Sequence, residues 1–377
     1  MRSFEDLLHP ITPAQFLAEY DGRKPLYIPA ADDRRKREVL RWADFNGMLD
    51  QTTSWTPNTL RLVMNHQALP PERYCLIMQT MDGSMLRPSP AKVEALLSTG
   101  ASLVANEVMY MHPPLTAITA ALGETFGARV GANVYCSFQG VQAFGTHYDN
   151  HDVFVIHTEG EKVWNLYQAR ADNPVDLMPD TAETRRYFEQ TRGPVLQQIT
   201  MRPGDVLYLP RGWYHDALAR DGGSLHVTFS VSPLYGRILL KLLDNAAMQS
   251  SAFRAYLPPA SRDGGAALAA RLKALGQLLS DLSSSRAFLD EVAMTQTRQV
   301  ARPSAFSLPE RKTLTRYRVV GTGFPRASTG VEVAYDWMRQ MIEFTVEDAI
   351  GQFDFVSEAD IRGAVEAALA AGALQKV

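Results

Sequence analysis

Cysteine is scarce: Cys75 and Cys136 are the only two in 377 residues. That excludes a disulfide framework and a thiolate zinc site, which need several cysteines at short spacings. No apolar run is long enough to cross a bilayer, and Met1-Arg2-Ser3-Phe4-Glu5-Asp6 lacks the apolar core of a secretory leader. A reducing, cytoplasmic compartment is the expectation. Excess charge of one sign is also missing. With 38 Lys and Arg against 41 Asp and Glu, the net charge is -3, so there is no direct nucleic-acid signature. The chain has no Gly-x-Ser-x-Gly elbow and no phosphate-binding glycine loop, which removes those hydrolase and nucleotide-binding readings. Internal repeats and low-complexity tracts are absent too.

The rest of the composition is that of an ordinary globular chain, 46% hydrophobic and 21% charged, long enough for two or three domains. Thr12 is a candidate N-cap with Pro13 at the first helical position and Phe16, Leu17 and Tyr20 facing inward. Lys24-Pro25-Leu26-Tyr27-Ile28-Pro29 reads as a short strand, Arg34 to Leu49 as helical, Leu60–Met64 as a strand, Ala91–Ser98 as a helix, Ser102–Asn106 as a strand, and Pro113–Leu122 as a helix. From Val130 the pattern changes to closely spaced strands: Ala132–Phe138, Asp152–His157, Val163–Tyr167, Gln197–Met201, Asp205–Leu209 and His226–Val231. Such spacing predicts an antiparallel barrel or sandwich, interrupted by a polar insertion, Ala171–Gly193, with a helix over Thr181–Gln190. After Pro233 come amphipathic helices over Arg237–Met248 and Ala267–Leu289. Their leucine stripe, with Leu272, Leu275 and Leu279, fits either an internal core or a dimer seam. Pro303–Pro309 reads as a linker, Arg316–Val320 and Val331–Tyr335 as strands, Val346–Phe353 and Glu358–Ala371 as helices, and the C-terminal tail as a strand. Helices beside small strands suggest a winged-helix-like fold, although Asp360, Glu366 and the lone Arg362 make a poor DNA-reading face.

The chemistry concentrates in Gly145–Trp164 and in Pro203–His215. In extended chain, residues i and i+2 face one side, so His147 and Asp149 can aim at one point inside a barrel. His215, from a distant strand end, completes two imidazoles and a carboxylate, a facial set for non-haem Fe(II) that leaves positions open. Eight histidines, with Asp at about one position in twenty, give roughly 0.4 His-x-Asp pairs by chance, so the pair gains its weight from its surroundings. Lys162 lies past one strand and a Glu159-Gly160 hairpin turn, where its ammonium can enter the same cavity and grip the far end of a dicarboxylic cosubstrate. A solvated lysine flanking a turn is the plain alternative. His157-Thr158-Glu159 is a second metal-like spacing better explained by that hairpin. His151 suits a supporting or surface role, and His226 packs or hydrogen-bonds at the edge of its strand. Trp164, Tyr148, Trp213 and Tyr214 read mostly as core, with Trp213 or Tyr214 as a rim contact.

Together, His147-x-Asp149, Lys162, Pro203-Gly204-Asp205, His215 and His226-Val227-Thr228-Phe229-Ser230 resemble the motifs of the JmjC-type 2-oxoglutarate oxygenases, ribosomal-oxygenase branch. Phe16-Leu17 and Lys24–Ile28 resemble that family's entry segment. The resemblance implies an α+β chain in three parts. Residues 1–232 would form a double-stranded β-helix (cupin/JmjC) barrel, 233–302 a helical dimerisation region, and 303–377 a winged-helix-like domain. It implies Fe(II) on His147, Asp149 and His215, and 2-oxoglutarate held by Lys162 with Asn133, Tyr135 and Ser230 around it. It further implies O2 as oxidant and hydroxylation of a protein or peptide side chain, such as one of a ribosomal protein, by a homodimer. A natural-product peptide or a small molecule fits the same chemistry as substrate, as does demethylation. A non-catalytic metal-binding scaffold or sensor is the reading from a different class.

Overall fold

The computed structural model describes residues 3–30, 34–81, 83–138, 143–220, 222–300 and 314–377. They form two compact units, Met1–Ser232 and Pro233–Val377. The strands of the first are β1 (Leu26–Ile28), β2 (Leu60–Met64), β3 (Gln67–Ala68), β4 (Cys75–Thr80), β5 (Gly83–Pro88), β6 (Ser102–Ala105), β7 (Ala128–Phe138), β8 (Asp152–Glu159), β9 (Lys162–Arg170), β10 (Val195–Met201), β11 (Val206–Leu209), β12 (Trp213–Ala219) and β13 (Gly223–Pro233). Eight of these make a sheet in the order β1-β11-β8-β13-β7-β6-β2-β3, and three make a second, β10-β9-β12. From β7 onward the chain winds between the two sheets, which is a double-stranded β-helix. The β4–β5 hairpin and strand β12 are additions to the elements expected from sequence.

One expectation fails informatively. β8 and β9 do not form a hairpin across Gly160. Both edges of β8 are taken, by β11 and by β13, so the chain must cross to the other sheet, where β9 pairs β10 and β12. Gly160 sits at φ +67°, and a Cβ there would lie 1.8 Å from the Gly223 carbonyl oxygen. Only glycine turns this corner.

Strand alternation gives the larger sheet two different faces. Leu225, Val227, Phe229 and Val231 of β13, with Phe154 and Ile156 of β8, pack outward against Phe4, Leu8, Phe16 and Leu122. Burying each such side chain contributes about 2 kcal/mol. Phe16 belongs to the helix Pro13–Glu19, whose N-cap Thr12 accepts from the Gln15 N–H. Its ring meets Tyr208 edge-on at 4.8 Å. Leu17, expected inward, is exposed on that short helix. The opposite face looks into the barrel, where Val153, Val155, Leu207 and Leu209 meet Trp164, Leu166, Ile199 and Met201 of the smaller sheet. His226, Thr228 and Ser230 share that inner face and line the barrel's cavity.

In the second unit, helices Ile238–Ala247, Ala266–Ser283 and Arg286–Gln299 enclose Leu242, Leu243 and Phe288. The single helix expected over Ala267–Leu289 is broken at Ser284, because the Ser285 side chain accepts from the Phe288 N–H and starts a new helix. Further on, β14 (Arg316–Val319) lies between β15 (Glu343–Thr345) and β16 (Leu374–Lys376). Val331–Tyr335, expected as a strand, lies in the helix Thr329–Arg339. Its buried Ala334, Tyr335 and Met338 follow the helical repeat rather than the strand one. Helices Val346–Gln352 and Glu358–Ala370 complete this core, the second capped by the Ser357 side chain on the Asp360 N–H. The expected linker Pro303–Pro309 lies outside the described residues.

Candidate metal centre

His147 and His215 are brought together by the backbone. The segment around His147 adds to the free edge of β12, where His147 N–H donates to His215 O (3.0 Å) and His215 N–H donates to His147 O (2.9 Å). The imidazole centroids are 4.5 Å apart. Asp149, two residues on in extended chain, brings Oδ2 to 3.6 Å from His215 Nε2. One ligand atom from each of the three lies within 4.8 Å of the others. Gly212 fixes the approach of Asp149, donating its N–H to the Asp149 carbonyl at 2.9 Å. It does so at φ +83°, with Ala171 O 2.4 Å from where a Cβ would stand. His215, expected at a strand end, lies within β12.

Each histidine is held in the tautomer a metal needs. His147 Nδ1 is 2.9 Å from Gly145 O, and His215 Nδ1 is 2.9 Å from Trp213 O. A carbonyl only accepts, so both Nδ1 atoms carry the proton and Nε2 keeps its lone pair. Burial pushes His215 down to about 4, helped by His147 and opposed by Asp149. It is therefore a neutral ligand at physiological pH. Seclusion from water pushes the Asp149 carboxyl up, but the imidazoles of His147, His215 and His151 more than reverse this and leave it below the usual range. Two imidazoles and one carboxylate on one side of a cavity suit a six-coordinate first-row divalent ion with open positions.

The cavity beside them has a volume of about 110 Å³. Asn133, Tyr135, Lys162 and Ser230, named from sequence, all line it with the three ligands. Lys162 is 4% exposed, and burial pushes its ammonium down to about 8. Its ammonium makes no hydrogen bond or ion pair among the described residues. Asn133 Oδ1 accepts from the Glu107 N–H at 3.0 Å, which leaves its amide N–H groups to donate. Burial, seconded by the Asp149 charge, pushes the Tyr135 phenol up to about 12, so it stays a donor. Trp164 stacks against His215 at 5.8 Å and forms one wall.

Of the remaining histidines and aromatics, only some face the cavity. His226 is no strand-edge residue. It lines the cavity, and its ring lies parallel to Tyr135 at 5.0 Å. His151 lines the cavity as well. His157 is buried, with Nε2 donating to Gly160 O at 3.0 Å, and does not join the ligands. Tyr214 is not a rim contact, because it packs with Tyr148 and Phe188 in a separate aromatic cluster.

A second missed feature backs the ligands. Asp216, next to His215, faces the other way and accepts from Thr146 Oγ1 (2.9 Å), Asn165 Nδ2 (2.9 Å) and the Tyr167 hydroxyl. Thr146 precedes His147, so one buried carboxylate ties the residue before one candidate ligand histidine to the residue after the other. Arg192, at the end of the insertion helix Ala182–Thr191, lies over the Tyr167 ring at 4.4 Å and donates to Thr146 and Tyr167. An Asp directly after a ligand histidine, on the opposite strand face, was the available signal.

Residues 110–237 match the JmjC domain family. The chain carries a JmjC domain. That match contains the three candidate ligands and Lys162. Among curated proteins, ribosomal oxygenase 1 of Homo sapiens is 31% identical over 264 residues, covering 68% of this chain and 39% of that protein. The bifunctional lysine-specific demethylase and histidyl-hydroxylase NO66 of Dictyostelium discoideum is 28% identical over 259 residues, covering 67% of this chain and 48% of that one. The chain thus spans less than half the length of these two relatives. Among solved structures, the Escherichia coli ribosomal oxygenase YcfD in complex with cobalt and 2-oxoglutarate superposes with a TM-score of 0.53 at 15% identity. That likeness covers 97% of this chain and 98% of YcfD, and extends the shared fold beyond the JmjC domain.

Proposed function

We propose that this chain is an Fe(II)- and 2-oxoglutarate-dependent oxygenase that hydroxylates a side chain of a protein or peptide, with a ribosomal protein as the favoured substrate. The observation that carries this reading is the pairing of His147, Asp149 and His215 with an uncompensated buried cation, Lys162, in one small cavity. Metal-binding scaffolds have no use for that lysine. The relatives' names, ribosomal oxygenase and histidyl-hydroxylase, and the YcfD complex with cobalt and 2-oxoglutarate support the same chemistry.

In this reading His147, Asp149 and His215 hold Fe(II), which when bound supplies the activation of O2 coupled to 2-oxoglutarate decarboxylation. Lys162 neutralises the distal carboxylate of 2-oxoglutarate. Asn133, Tyr135 and Ser230 donate hydrogen bonds around it. Trp164 and the inner barrel face exclude water from the reacting centre. Overall, one oxygen atom of O2 enters succinate and the other enters the substrate C–H bond, with CO2 released.

The domain limits stay as read from the sequence: barrel to 232, helical region to 302, and winged-helix-like domain to the end. Exposed Leu239, Leu240 and Leu272 support homodimerisation through the helical region. Leu279 packs inside that region, and Leu275 is half-buried. Arg362 is paired with Glu358 and Glu347, so its helix offers no free cation to a phosphate backbone. Free, buried Cys75 and Cys136 suit a reducing cytoplasmic compartment. The test is intact-mass analysis of ribosomal proteins and peptides incubated with the protein, Fe(II), ascorbate and 2-oxoglutarate. A gain of one oxygen atom is expected. Loss of a methyl group would mean demethylation instead, and no change in any substrate would overturn the reading.

A further inference from the structure

The cavity lining holds a second polar group that no role above uses. His226 lies on β13 directly across from His157 on β8. It is 3% exposed. Tyr135 stacks flat on its ring, Trp164 meets it edge-on at 5.7 Å, and His157 lies roughly parallel at 6.1 Å. Neither ring nitrogen makes a hydrogen bond to the described residues, and Nδ1 is fully enclosed without a partner. Nδ1 is closed off by protein, so the nitrogen that can meet a ligand in the cavity is Nε2, and an N–H there stays unsatisfied until an acceptor arrives.

Its neighbour is Lys162. Burial, then the Lys162 charge and His157, hold His226 well below the ordinary histidine range. Lys162 therefore carries the positive charge at this end, while His226 is a neutral ring with one N–H to give. His157 cannot take that proton's place, since its own N–H is already committed to Gly160 O.

Building on the proposed 2-oxoglutarate chemistry, we propose that His226 is a second anchor for the distal carboxylate, donating one neutral N–H hydrogen bond beside the Lys162 ion pair. A carboxylate has two oxygens and more acceptor capacity than one ammonium fills. Lysine alone would hold it as a point charge, and the imidazole fixes the direction from which it is approached. The pair also sets the length of cosubstrate accepted. A 2-oxo acid ending in a methyl group would leave both nitrogens unpaired.

Binding, not turnover, tests this. Isothermal titration of the Mn(II)-loaded full chain is run with 2-oxoglutarate and with 2-oxovalerate, which lacks the distal carboxylate. His226→Leu is expected to weaken 2-oxoglutarate about ten- to a hundredfold, the span of one hydrogen bond to a charged group. Its affinities for Mn(II) and for 2-oxovalerate should be unchanged. His226→Gln, which keeps an N–H donor, should recover most of the loss. Equal weakening of both ligands, no weakening, or a Gln variant as poor as Leu would overturn the anchor. If His226→Leu does not fold, the Gln variant decides alone, and a loss of tenfold or more in it would count against the anchor. Failure of the unaltered protein to bind 2-oxoglutarate would instead overturn the proposed function, and the anchor with it.

Discussion

Lys162→Met should push stability and ligand binding in opposite directions. Lys162 is 4% exposed, and burial lowers its ammonium from 10.5 to about 8. At about 1.4 kcal/mol per pH unit, that difference is roughly 3 kcal/mol against the charged form in the folded state. At pH 7 the folded protein carries this burden without a partner. Methionine keeps an unbranched chain and removes the charge, so urea denaturation of the cosubstrate-free variant should show a gain of up to about 3 kcal/mol. The folded-state value lies below the unfolded one, so between about 8 and 10.5 the unfolded chain binds more protons, and the unaltered protein gains stability as pH rises through that window. Lys162→Met should lack this rise. With 2-oxoglutarate added the order reverses. Removing one partner of a buried ion pair costs about 3–5 kcal/mol, so calorimetry should show affinity falling a hundredfold or more. A variant that is less stable at pH 7 and binds 2-oxoglutarate normally would refute the reasoning.

Other outcomes follow from the same geometry. In the unaltered protein, 2-oxoglutarate affinity should be full below about pH 8 and fall above it as Lys162 loses its proton; titrations from acid to alkaline pH check this, and a flat profile contradicts it. Asp216→Asn keeps the shape but weakens the tie between Thr146 and Tyr167, so Co(II) affinity followed by absorbance should fall about tenfold while the circular dichroism spectrum is retained. Unchanged Co(II) binding would show that this network does not position the ligands. Gly212→Ala places a Cβ against Ala171 O at positive φ and disturbs the N–H that holds Asp149. It should cost about 1–3 kcal/mol in thermal denaturation and weaken Co(II) as well, and a neutral result would remove Gly212 from the account.

Much of this was legible because strand chemistry is periodic. His147 and Asp149 share a side by simple alternation, and alternation also places Asn133 with Tyr135 on an inner face. Lys162 lines the cavity, and it gets there by a crossing between sheets where the spacing suggests a hairpin. Local spacing cannot reveal that both edges of β8 are occupied by strands far away in sequence. His226 was misplaced for the same reason, since its surroundings come from Tyr135, His157 and Trp164 on three other strands. The Asp216 network joins four segments and leaves no local pattern beyond its position after His215. In the second unit, Val331-Glu332-Val333-Ala334-Tyr335 alternates over five residues yet belongs to a longer helical repeat reaching Met338, so the window decided the error. β12 was overlooked because Trp213–Ala219 mixes polar and apolar residues around a ligand that the site, not the core, requires.

The most direct test of the central claim is succinate formation from 2-oxoglutarate by the purified protein with Fe(II), ascorbate and O2 and no other substrate. The unaltered chain should form succinate slowly, and His147→Ala, folded but one ligand short, should form none. No succinate from the unaltered protein, or equal amounts from both, would contradict the account.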